Sequence, residues 1–96
     1  MGIEDILKTL RRERPGLAAR HKVRSLAVFG SVARADASAA SDCDILVEFS
    51  DPPGLFGFVE LEHELSGLLG CKVDLVEKKS LKPGIAKRVT KELVLV

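Results

Sequence analysis

The chain has 96 residues, of which 15 are Lys or Arg and 14 are Asp or Glu, for a formal charge of +1. That balance excludes a protein whose hold on DNA or RNA comes mainly from neutralising phosphates, and four Phe with no Trp or Tyr make no stacking platform for single-stranded bases. Hydrophobic residues at 46% suffice for one small core in one domain, residues 1–96, and no run approaches the roughly 18 apolar residues that span a bilayer.

The opening MGIEDILKTLRRERP carries acids and no apolar h-region, so no secretory leader is expected, and no Ser or Thr completes a myristoylation site. Ile3, Ile6, Leu7 and Leu10 follow helical spacing, with Glu4 and Asp5 in the first turn where the dipole favours acids. Arg11, Arg12 and Arg14 read as a solvated helix end; Pro15-Gly16 is expected to stop this helix and open a second, short one through Arg20. Val23 to Phe29 reads as a strand buried on both faces, broken by Gly30-Ser31, and VARADASAAS as a short helix and a small-residue loop.

Asp44 to Phe49 predicts a second strand, ended by the turn Asp51-Pro52-Pro53-Gly54. Leu55 to Leu69 places Phe58, Leu61, Leu65 and Leu68 at helical spacing, with Gly70 as its stop. Glu60, Glu62 and Glu64 read as its solvent face, and His63 as a surface histidine. Cys71 to Glu77 predicts a third strand, Pro83 to Glu92 a last helix, and LVLV closes the chain. Cys43 and Cys71 lie singly in apolar runs with no CxxC, which suits reduced core thiols of a cytoplasmic protein; a disulfide or a metal pair is the alternative. The alternation of helices and strands predicts an α/β (α+β) domain on a small, twisted, mixed sheet flanked by helices.

Chemistry concentrates in Phe29-Gly30-Ser31-Val32-Ala33-Arg34 and, after a loop, Ser41-Asp42-Cys43-Asp44. Residues two apart in a strand share a face, so Asp42 and Asp44 point two carboxylates into one volume while Cys43 turns into the core. Such neighbours repel unless a cation joins them, and Mg²⁺ prefers all-oxygen ligands shared with substrate phosphates. Gly30-Ser31 at a strand-to-helix turn offers backbone N–H groups and a hydroxyl of the kind that cradle phosphate, although Ser31 also reads as a helix cap. In the third strand Cys71, Val73 and Leu75 alternate onto one face, leaving Lys72, Asp74 and Val76 on the other. Asp74, if its strand is adjacent, supplies a third carboxylate for a two-metal site.

GSVARADASAASDCDILVEF resembles the GSxARG…SDxDLLV signature of the minimal nucleotidyltransferases, a family of the DNA polymerase β superfamily, with Val32 to Ser41 as the ten-residue spacer. SLAVFGS, DPPGLFGFVELEHELSGLLG, KVDLV and KSLKPGIAKRV follow in the family's order, so the resemblance covers nearly the whole chain. It departs at Ala35, where the family has Gly; a positive φ there would strain Ala by about 1 kcal/mol. The resemblance implies the polymerase β-type nucleotidyltransferase core and transfer of AMP from ATP to a hydroxyl acceptor. It implies two Mg²⁺ ions on Asp42, Asp44 and Asp74, with Asp74 nearest the acceptor as possible general base. Gly30, Ser31 and Arg34 would hold the nucleotide, Arg34 either directly or through a salt bridge that positions the loop. Lys82 or Lys87 could neutralise the leaving group.

Because the catalytic core occupies the whole sequence, the acceptor is expected on a partner. The resemblance points to a tyrosine of a HEPN-domain ribonuclease toxin, this chain being the antitoxin in a hetero-oligomer. Two alternatives stand beside this: an antitoxin that neutralises its partner by contact alone, and a small-molecule nucleotidyltransferase of the aminoglycoside-modifying kind.

Overall fold

Ile6, Leu10 and Leu17 fall four and seven residues apart and are almost wholly buried, forming one apolar stripe. In the computed structural model, which describes residues 2–33 and 42–96, this stripe belongs to a single helix, α1 (Ile3–His21), with Pro15 inside it. The expected break at Pro15-Gly16 does not occur. An interior proline costs about 3 kcal/mol, but a stop there would displace Leu17, whose full burial contributes about 1.5–3 kcal/mol. Arg11 and Arg14 are also more than a solvated helix end: they donate to the carbonyls of Leu95 and Val96, at 3.3 and 3.5 Å. α1 ends at Lys22 in the left-handed region (φ 58).

The remaining elements are β1 (Val23–Phe29), α2 (Gly30–Ala33), β2 (Cys43–Phe49), α3 (Gly54–Leu69), β3 (Val73–Glu77), a 3-10 turn (Lys78–Ser80), α4 (Pro83–Glu92) and β4 (Val94–Leu95). The four strands form one mixed sheet in the order β3-β2-β1-β4. β1 runs antiparallel to β2 and to β4, and β2 runs parallel to β3. Val94 and Leu95 of the closing LVLV therefore pair with β1 at the edge of the same sheet, with Leu95 left exposed.

Both faces of the sheet are used. On one, Val28, Cys43, Ile45, Val47, Val73 and Leu75 join Ile6, Leu10, Leu17, Leu61, Leu65 and Leu69 in the main core beneath α1 and α3. On the other, a smaller cluster of Ala27, Leu46 and Val89 sits under α4. The consecutive burial of Leu26, Ala27 and Val28 follows from this sandwiching.

α3 does more than cover the core. β3 is an edge strand, and its outward N–H groups are taken by α3 side chains: Val73 donates to Ser66 Oγ and Leu75 to Glu62 Oε2, each at 3.0 Å. Glu64 receives Arg20 and lies 3.1 Å from His21 Nε2, joining α3 to the end of α1. Glu62 and Glu64 are thus structural, whereas Glu60 and His63 are exposed as expected. Gly70 caps α3 in the left-handed region (φ 67). Cys71 lies in the turn after it, and β3 begins at Val73, two residues later than the apolar run suggested. No helix among the described residues is long and apolar enough to cross a membrane.

Candidate active site on the second sheet face

Alternation along β2 sends Cys43, Ile45 and Val47 into the main core and turns Asp42, Asp44 and Leu46 to the face that α4 covers only in part. The parallel register pairs Asp44 with Asp74 directly across β2 and β3, so these two carboxylates share that face. On its other side Asp44 pairs with Phe29, the last residue of β1, which places Gly30 and α2 beside it. The pattern in sequence of two aspartates one residue apart and a third on a neighbouring strand is therefore realised as one row at one end of the sheet.

Gly30 has φ +75, and a Cβ built on it would meet the Asp44 carboxyl group, with Cγ only 3.1 Å away. A glycine at this turn leaves room for a phosphate to approach the backbone. The structure adds an internal reason: the Asp44 carboxylate already fills the space a side chain would need. Ser31 continues α2 through its backbone; its hydroxyl, together with Arg34, Ala35 and the loop to Ser41, lies outside the described residues.

The three carboxylates differ in their surroundings. Asp44 is half-buried, while Asp42 and Asp74 are exposed. Asp42 faces Lys72 Nζ at 3.9 Å, with side chains 47% and 78% exposed, so the pair is loose and strongly solvated. Cys43, between the two aspartates but on the opposite face, is fully buried, and loss of solvent around it pushes its thiol up to about 12. It is an uncharged core residue and adds no charge to the carboxylate face.

As a donor set, three carboxylates on one face suit a hard divalent ion such as Mg²⁺. Among the described residues, however, no three acidic, His or Cys groups converge closely enough to form a ready-made metal cage. Lys82 and Lys87 are exposed, at the start of α4 and within it. A cavity of about 540 Å³ lined by Pro52, Phe58, Leu75 and Val76 opens at the start of α3 and includes none of the three aspartates.

The family model for the nucleotidyltransferase domain matches residues 3–96. The chain belongs to that family. Among its relatives, this nucleotidyltransferase is 49% identical over 94 residues to the protein adenylyltransferase MntA of Thermococcus cleftensis, covering 98% of this chain and 95% of that one. A solved structure proposed to be a minimal nucleotidyltransferase superposes with a TM-score of 0.82 at 38% identity, over 100% of this chain and 97% of the other. A second solved structure, of the tri-AMPylated HEPN toxin of Shewanella oneidensis in complex with its MNT antitoxin, matches with a TM-score of 0.61 at 26% identity, over 96% of this chain and 66% of the matched one. The resemblance drawn from the Gly-Ser and Asp-x-Asp motifs and the polymerase β-type fold class are both borne out.

Proposed function

We propose that this nucleotidyltransferase moves the AMP of ATP onto a tyrosine hydroxyl of a HEPN-domain ribonuclease partner in the cytoplasm, acting as its antitoxin. The observation that carries the reading is the registration of Gly30, Asp44 and Asp74 on one open sheet face. The choice of acceptor is supported by the adenylyltransferase relative and by the AMPylated toxin bound to a similar chain.

In the transfer, the acceptor oxygen bonds to the α-phosphorus while the bond from that phosphorus to the bridging oxygen breaks, and pyrophosphate leaves. Asp42, Asp44 and Asp74 would hold two Mg²⁺ ions, which when bound would neutralise the triphosphate and the leaving group. Asp74, exposed on the edge strand, takes the acceptor's proton as general base. The backbone N–H groups at Gly30 and Ser31 receive the triphosphate tail, with the Ser31 hydroxyl and Arg34 as further donors. Gly30 also lets Asp44 stand close to that turn, so the metal-holding and phosphate-holding groups share one support.

The Asp42–Lys72 contact favours the second reading, a partner-binding antitoxin without catalysis. One experiment separates the two. The chain is incubated with labelled ATP, Mg²⁺ and a HEPN-domain partner, and the partner is weighed by intact mass spectrometry. Catalysis adds the mass of AMP to the partner, and Asp42→Asn with Asp44→Asn abolishes that gain in a folded protein. A double variant that still silences the partner would establish the binding reading instead.

A further inference from the structure

Cys43 and Cys71 are thiol side chains that the proposed reaction does not use, and the fold places them in one core cluster. Cys43 opens β2 and is fully buried; Cys71 is half-buried in the turn between α3 and β3. The ladder brings them together: Cys43 pairs with Val73, and its N–H donates to the carbonyl of Lys72, the neighbour of Cys71, at 2.9 Å. Both residues pack in the same core cluster. Both are reduced. One sulfur is thus fixed by a central strand, while the other sits in a turn that follows a left-handed glycine and makes no ladder of its own. A disulfide between them needs their Cα atoms within about 7 Å, which adjustment of the turn would have to supply.

We propose that Cys43 and Cys71 form an intramolecular oxidative modification site, closed to a disulfide by a peroxide. The partly exposed Cys71 sulfur attacks one oxygen of hydrogen peroxide, the O–O bond breaks, and a sulfenic acid forms with release of one water. The Cys43 sulfur then bonds to Cys71 sulfur as the sulfenic oxygen departs with the thiol hydrogen as a second water. Two thiols lose two electrons and one peroxide becomes two waters. The bond ties the turn before β3 to β2 on the face opposite Asp42 and Asp44, and closes a loop that contains α3. It stabilises the fold without taking up the carboxylate face.

The test uses the wild-type chain, so no variant needs to fold. After treatment with a small excess of hydrogen peroxide, intact mass should fall by about 2 Da, the two hydrogens lost. Peptide mapping should join the Cys43 and Cys71 peptides, the species should stay monomeric on a non-reducing gel, and dithiothreitol should reverse the change. The oxidised chain should melt about 10 °C higher than the reduced one. Oxygen added to Cys71 while Cys43 keeps its thiol, or disulfide-linked dimers, or two unreacted thiols, would each overturn the proposal. A linked pair with an unchanged or lower Tm would overturn the claim that the bond fits the native geometry. Cys43→Ala supplies the check on order: Cys71 should then accumulate oxygen adducts instead of closing.

Discussion

The carboxyl group of Asp44 occupies the place where a side chain at Gly30 would begin, its Cγ 3.1 Å from the position of a Cβ there. The strand that carries a proposed metal ligand and the turn that carries the proposed phosphate donors are therefore matched in shape. Gly30→Ala should be costly twice over, through its positive φ and through displacement of Asp44. We expect a stability loss of about 1–3 kcal/mol and a fall in AMP transfer of about 100-fold. Urea unfolding and the partner-labelling assay would report the two losses separately; a variant with normal transfer would break the link between Gly30 and Asp44.

Lys72 would compete with the proposed cation for Asp42. The pair is long, at 3.9 Å, and well exposed, so its worth is bounded by the ~0–1 kcal/mol of a surface ion pair. Lys72→Met should tighten binding of Mg²⁺ or Mn²⁺ by up to about fivefold, measured by calorimetry in the presence of a non-hydrolysable ATP analogue. Weaker metal binding in the variant would mean that Lys72 serves the triphosphate rather than opposing the metal.

Glu62 guards an edge. Its carboxylate accepts the Leu75 N–H, as Ser66 accepts that of Val73. Removing both acceptors leaves two outward-facing donors on β3, a template for pairing with another strand. Glu62→Ala with Ser66→Ala should cost about 2–3 kcal/mol and shift the chain toward dimers or aggregates in size-exclusion chromatography. A stable monomer would show that strand length alone protects this edge.

Glu64 links acid stability to the α1–α3 junction. Its carboxyl is held below the ordinary carboxylate range, first because Arg20 donates a hydrogen bond to it and then because His21 does, against the opposing effect of burial. A group whose folded pKa is lowered contributes stability that is fully present above its unfolded value, about 4.3, and is lost as pH falls through the folded value. Wild-type and Glu64→Gln chains should therefore differ in Tm at pH 6, with a difference that shrinks as pH falls below about 4.3 and vanishes below the folded value. A constant difference across that range would assign the effect to packing of the side chain rather than its charge.

Local pattern was enough for most of the elements and for the identity of the candidate site. The alternation around Val23–Phe29 and Asp44–Phe49, the helical spacing from Phe58 to Leu68, and the stops at Gly70 and Pro83 are properties of neighbouring residues, and they appear in the fold close to where they were read. Gly30, Asp42 and Asp44 were legible because their chemistry depends on spacings of one or two residues. Tertiary structure decided what depends on partners far along the chain. Pro15 stays inside α1 in a fold that buries Leu17, a long-range gain comparable in size to the local cost. Glu62 and Glu64 follow an exposed pattern yet bind β3 and α1, since a carboxylate's partner is set by which backbone or cation lies across from it. Asp74 shares a face with Asp44 only through the parallel register of β2 and β3, and the same register sets Cys71 beside Cys43. Strand pairing is a choice among distant segments, made by burying both sheet faces at once, and no short window of sequence contains it.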